Sequence, residues 1–246
     1  MRSTLPSSPE RHTVTGELSV TAFAAVSVEE GVERPLGQLA SAADIPPAVR
    51  RRMRGLPLLA LRCGLGALKA ESRPVEVVFS CRHGDLRRTR RLLSGLAEDR
   101  MPSPLEFSLS VHNALAGMLD LTRQERTGHT SIAAGADSFA MGLLEASARL
   151  ALSEHHAVLL LYVEEPIPQE LHGQTDPDQG GTIVAMLLEG HDAANRLAVM
   201  RPSLPSTTEP RESEAEARSV LAAIEGANTG RLASRAGFDW IVESAS

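Results

Sequence analysis

HNALAGMLDLTRQERTGHTSIAAGADSFAMGLLEASARLAL, residues 112–152, decides the architecture, because different periodicities follow one another within it. From Asn113 to Arg126, the residues Leu115, Met118, Leu119 and Thr122 recur at three- and four-residue spacing, which predicts a helix with one apolar face. Thr130 to Ala134 reads as a short strand, and Asp137 to Leu152 as a strong second helix. The next run, AVLLLYVEE at 157–165, is nearly continuous apolar, the pattern of a central strand covered on both faces.

Working outward, the same alternation extends in both directions. ELSVTAFAAVSVEEG (17–31) alternates as a strand, with Leu18, Val20, Ala22 and Ala24 expected on one face. Gly31 to Pro47 reads as a loop. Ala48 to Ala70 is helical through Leu58, Leu61, Leu65 and Leu68, with Pro57 kinking it or starting its second part. PVEVVFSC (74–81) is a buried strand, and Asp85 to Ala97 a helix with Leu86, Thr89, Leu93 and Leu96 on one stripe and four arginines outside it. MPSPLEFSLSV (101–111) reads as extended after two prolines. GTIVAMLLEG (181–190) and NRLAVMRP (195–202) are two further strands, expected to pair as a hairpin. A helix from Glu214 to Ile224 and the run FDWIVES (238–244) close the chain.

Strands alternating with helices predict a mainly parallel sheet with right-handed crossovers, mixed where the hairpin joins it. The division expected is a flexible arm at 1–16, a domain at 17–200, a linker at 201–213, and a helix with a docking tail at 214–246.

The composition narrows the function. The chain has 246 residues, a net charge of −6 and only 3% aromatics, so neither a global basic field nor a base-stacking platform supports nucleic-acid binding. Cys63 and Cys81 have no zinc-ligand spacing, so no metal or cofactor is expected and a reduced cytoplasmic setting is. The polar start, MRSTLPSSPERHTVTG, lacks the apolar core of a signal peptide, and no run reaches the roughly 18–20 apolar residues of a membrane span. His155 and His156 are adjacent and read as a loop cap rather than a metal pair.

One motif points to an enzyme. Arg82-His83-Gly84 directly after a strand is how histidine phosphatases present a nucleophilic His beside a phosphate-clamping Arg. That chemistry needs a second His, for which His112 and His129 are the candidates; the plain alternative is capping or interface hydrogen bonding at a strand-to-helix turn. No GxSxG, Walker A or strand-borne GxGxxG is present, and GLGAL (64–68) lies within a helical pattern, where close helix packing explains it. The clusters RRRMR (50–54) and RRTRR (87–91), with Arg50, Arg51, Arg52, Arg87 and Arg88, either form a solvated face or dock an acidic partner.

The element order is that of one half of the thiolase fold, with its mixed five-stranded sheet, and several stretches resemble the N-terminal half of β-ketoacyl synthases. IPPAVRRRMRGLPLLALRCGLGAL (45–68) is similar to their basic run and first long helix, and residues 112–152 to their helix, strand, nucleophile turn and helix. VVFSCRHGDLRRTRRLL (77–93) with SPLEFSLSVHNALAG (103–117) resembles the small ketosynthase-like chain-length factors of aryl-polyene and related lipid pathways.

The resemblance puts Ala134 at the position of the nucleophilic Cys, and neither an HGTGT-like nor a Gly-Phe-Gly-Gly-like segment is present. It therefore implies a chain that is not a catalyst alone but the partner of a full-length ketosynthase. Phe107, Ser108, His112, Asn113, Ala134, Phe139 and Met141 would then form the partner interface and tunnel floor, and the two arginine clusters would dock an acyl carrier protein. Phe139 and Met141 have plain core packing as the alternative. A stand-alone carrier-protein binding module is the remaining possibility.

Overall fold

The computed structural model describes residues 16–29, 32–152, 157–168, 181–190, 193–203, 216–226, 229–234 and 238–245. The strands are β1 (Leu18–Glu29), β2 (Val32–Gly37), β3 (Glu76–Ser80), β4 (His129–Ile132), β5 (Ala157–Glu164), β6 (Gly181–Gly190), β7 (Ala198–Ser203), β8 (Thr229–Ala233) and β9 (Asp239–Ser244). The helices are α1 (Pro47–Arg52), α2 (Leu56–Ala67), α3 (Leu86–Ala97), α4 (Pro104–Ser108), α5 (Ala114–Arg123), α6 (Ser138–Leu152) and α7 (Glu216–Gly226).

All nine strands join one mixed sheet, in the order β4-β3-β5-β6-β1-β7-β9-β8, with β2 beside β1. The five strands β4-β3-β5-β6-β1 make up the half-fold expected from the sequence; β2, β7, β8 and β9 extend it from five to nine. β3 runs parallel to β4 and β5, whereas β6 is antiparallel to both β5 and β1.

Helices cover both faces. On one, α2 and α5 bury Leu61, Cys63 and Leu119 against Val77, Phe79, Leu159 and Leu161. On the other, α6 and α7 bury Phe139, Leu143, Val220 and Leu221 against Val78, Val158, Leu160 and Met186. Successive residues of β3 and β5 thus feed opposite cores, which is why their sequences are apolar without alternation. Gly66 and Gly142 let the helices approach closely. A Cβ at Gly66 would lie 3.0 Å from Leu39 Cα, and one at Gly142 would lie 2.8 Å from Leu160 Cδ1. Within GLGAL, the close helix packing is at Gly64, where a Cβ would lie 3.2 Å from Leu119 Cδ2 of α5, while Gly66 lies against the backbone of residues 38–40.

Several sequence expectations are corrected. A bulge between Val20 and Ala22 adds one residue, so Leu18 and Val20 face the α7 side while Ala24 and Val26 face the α2 side. Thr21, the extra residue, donates its hydroxyl to Glu189 Oε1 at 3.0 Å. The 31–47 stretch is not all loop: β2 pairs with β1 from Val32 to Gly37. The strands β6 and β7 do not form a hairpin, because β1 lies between them and pairs with both. The stretch 101–111 is not extended: Ser103 Oγ accepts from Glu106 N–H at 3.4 Å and Pro104 occupies the first helical position, starting α4. Of the two roles expected of Pro57, starting the second part of the helix is the one it takes, in the first turn of α2. Finally, α3 does not bury its leucine stripe: Leu93 and Leu96 are exposed and Arg88 is buried.

The arm at 1–15, most of the linker at 204–213, and His155 and His156 lie outside the described residues. The C-terminal strand β9 pairs with β7 along its whole length and seals Trp240 into the core.

Candidate functional site

The parallel strands β3, β4 and β5 all point their carboxyl ends to the same rim of the sheet, so the segments that follow them gather there. These segments are the Cys81–Asp85 turn, the turn from Ala133 to Asp137, and the stretch after Glu164.

The turn after β4 is the resemblance's nucleophile position. Ala134 precedes a single 3-10 turn, Gly135–Asp137, which runs straight into α6. Ser138 Oγ is buried here; it accepts the Ala134 N–H at 3.0 Å and donates to the Gly135 carbonyl at 2.7 Å. From β3, Ser80 Oγ donates to the Ser138 carbonyl at 2.5 Å, tying the head of α6 to the sheet. The residue at this turn is an alanine with no ionisable group. The two cysteines lie elsewhere, buried, and burial pushes both thiols up to about 12.

After β3, Arg82-His83-Gly84 forms the turn into α3. Gly84 adopts φ +67° and donates its N–H to Cys81 Sγ at 3.0 Å. Asp85 caps α3 by accepting the Arg88 N–H at 2.7 Å. Arg82 lies 3.7 Å from Glu164 across the strand ends. His112, just before α5, places Nε2 2.9 Å from the Cys81 carbonyl and packs its ring 5.6 Å from Phe79. His129 is held by Asp120, 2.7 Å from Nδ1, with Asn113 Nδ2 3.4 Å from Nε2. The two candidates for the second phosphatase histidine, His112 and His129, are therefore engaged by a backbone carbonyl and by a carboxylate, and Arg82 by another carboxylate.

The interface residues fall into two groups. Phe107 and Ser108 on α4 and Asn113 before α5 lie at the surface, and Phe107 is 62% exposed. Around Phe107, Met101, Leu105 and Val111 are exposed as well. Phe139, by contrast, is fully buried, its ring 5.1 Å from that of Tyr162, and Met141 is half-buried. The strand β4 forms the end of the sheet and pairs only with β3 among the described residues.

The arginine clusters converge on a cleft of about 680 Å³ lined by Arg51, Arg52, Arg54, Arg87, Arg88 and Arg91, with Asp85, Glu106 and Glu165. Arg50 does not line it. Arg88 is not a surface group: it is buried between Asp85 at 2.9 Å and Glu106 at 2.8 Å, and its Nη2 lies 3.5 Å from the Arg52 carbonyl, joining the two walls. Burial, and then the neighbouring Asp85, push the Glu165 carboxyl up to about 7 against the pull of Arg87, Arg88 and Arg91. A smaller cavity of about 40 Å³ adjoins it, reaching Phe79, Leu109, Leu115 and Val163. Arg54 and Arg91 belong to the two clusters the sequence shows, whereas Glu106 and Glu165 were not singled out from it. The signal available for Glu165 was a pair of carboxylates ending an otherwise apolar strand.

No helix among the described residues is long and apolar enough to cross a membrane, and no curated protein matches the chain. Among solved structures, the chain is similar to the ketosynthase ApeO in complex with its chain length factor ApeC from Xenorhabdus doucetiae. The identity is 26% and the TM-score 0.73, covering 92% of this chain and 98% of the other. It also matches the ishigamide ketosynthase/chain length factor at 18% identity and TM-score 0.58, over 84% of this chain and 72% of that one. A third match, at 14% identity and TM-score 0.58, is AntDE:AntF, a type II acyl-carrier protein in complex with its ketosynthase, over 84% and 74%. The last two identities bear on the fold alone. The family model described as the β-ketoacyl synthase N-terminal domain matches residues 26–236. With strand, turn and helix arranged as above and a match across most of its length, this chain belongs to the β-ketoacyl synthase N-terminal domain family.

Proposed function

We propose that this chain is the non-catalytic, chain-length-factor-like subunit of a heterodimeric β-ketoacyl-ACP synthase. It pairs with a full-length ketosynthase in fatty acid or polyketide biosynthesis of the aryl-polyene kind, and shapes the acyl tunnel of that partner. The observation that carries the reading is the turn before α6, which keeps the family's backbone order but presents Ala134, with its amide hydrogen-bonded to Ser138. A decarboxylative condensation needs a thiolate and an oxyanion site at such a turn. An alanine supplies no nucleophile, so the chemistry belongs to the partner.

The unpaired edge of β4 and the exposed apolar group around Phe107 support an extensive partner surface. On this reading Phe107, Ser108 and Asn113 meet the ketosynthase, while His112, Ala134, Phe139 and Met141 set the shape behind that surface. Arg51, Arg52 and Arg87 face outward and receive the acidic carrier protein, and Arg88 holds the wall that presents them. Co-expression of the tagged chain with a full-length ketosynthase from the same genome, followed by sizing, tests the reading. A 1:1 complex that Phe107→Asp disrupts is expected; a chain that elutes alone in both cases contradicts it.

A further inference from the structure

The cleft between the α1–α2 corner and α3 carries a charge imbalance that subunit pairing leaves unused. Six guanidiniums line it against three carboxylates, an excess of three positive charges in a chain whose net charge is −6. Arg88 and Arg91 share Glu106. Arg51, Arg52 and Arg54 form no ion pair among the described residues. Their position is fixed by the backbone: α1 stops at Arg52, and Gly55, at φ +64°, turns the chain into α2. The unpaired arginines are thereby carried to one side of a cleft whose other side is the first turns of α3. Like charges held together across a concave surface repel, and a bound polyanion relieves that repulsion.

The shape restricts the anion. The cleft of about 680 Å³ has the size of a small-molecule site. Its inner continuation, about 40 Å³, has room for little more than a water molecule or a methyl group. A long acyl chain has no place there, whereas a compact, highly charged group does. Guanidinium forks match phosphate oxygens in pairs, and an excess of three charges suits a phosphate dianion or polyphosphate better than one carboxylate.

We propose that this cleft is a binding site for a small phosphate ester or polyphosphate, gripped by Arg51, Arg52 and Arg54 on one wall and Arg87 and Arg91 on the other. It shares residues with the proposed carrier-protein surface and rests on that surface being open to anions, but is measured on the chain by itself. Glu165 and Asp85 are the acids that oppose the ligand from the floor, and Glu106 opposes it from α4.

The test is calorimetric titration of the full chain with inorganic pyrophosphate at fixed ionic strength. Saturable 1:1 binding is expected, weakened about tenfold or more by Arg54→Ser combined with Arg87→Ser. Arg100→Ser, outside the cleft, leaves it unchanged, and Glu165→Gln tightens it, which a misfolded variant could not do. Absence of saturable binding by the wild-type chain, or equal binding by the double variant, overturns the proposal. Carrier-protein binding measured separately distinguishes the two readings: pyrophosphate binding without it removes the docking surface and leaves the phosphate site standing.

Discussion

The backbone amide of Ala134 is 3.0 Å from Ser138 Oγ, and this hydroxyl in turn donates to the Gly135 carbonyl at 2.7 Å. One buried serine therefore holds the Ala134 amide at the turn between β4 and α6, and adds a second donor to the Gly135 carbonyl, which also accepts the Ser138 N–H. Replacing Ser138 with Ala removes the acceptor of the Ala134 amide, and a loss of about 1 kcal/mol is expected from urea unfolding. A change of no more than a few tenths would mean that the turn is held by something other than this serine.

The chain's cysteines give a second test. Cys63 and Cys81 are buried, and burial pushes both thiols up to about 12, so almost no thiolate exists at neutral pH. The native wild-type chain should resist iodoacetamide, as read by intact mass. Ala134→Cys, at a half-buried position before α6, should take up one alkyl group and still carry out no condensation alone. Condensation by this variant without a partner would show that the chain holds more of the catalytic machinery than we assign to it.

Glu165 links stability to pH. Its carboxyl is raised from 4.5 to about 7, mainly by burial, so between these values the native state holds a proton that the unfolded chain has lost. The group's contribution to stability is present below about 4.5 and declines as pH rises towards 7, by about 3 kcal/mol at most. Glu165→Gln removes that decline. Urea unfolding at pH 5 and pH 8, taken as about half a unit above and one unit above those two pKa values, should show the variant gaining on the wild type at the higher pH. A constant difference between the two pH values would contradict the assignment.

Much of the fold was legible because its signals are local. AVLLLYVEE and GTIVAMLLEG are continuous apolar runs and became β5 and β6, while Leu115, Met118 and Leu119 carried the period of α5. What was misread depends on distant partners. The bulge at Thr21 is fixed by β6, which no reading of β1 alone supplies. The short strand β2 is exposed along most of its length and has little apolar pattern to show. Arg88 looked like a surface cation because nothing nearby in sequence announces Glu106, eighteen positions away and at 2.8 Å in space. The same holds for the site. The strand and helix that flank Ala134 were legible in the sequence, whereas the cleft depends on Glu165 being brought beside α3 by the fold.

In the role we propose, this chain shapes a reaction that another subunit performs. The most direct test is the condensation rate and product length of a full-length ketosynthase from the same genome, measured with and without this chain at equal concentration. We predict that activity requires both chains and that Met141→Trp in this chain shifts the product distribution. A ketosynthase equally active, with the same products, in the absence of this chain would contradict the account.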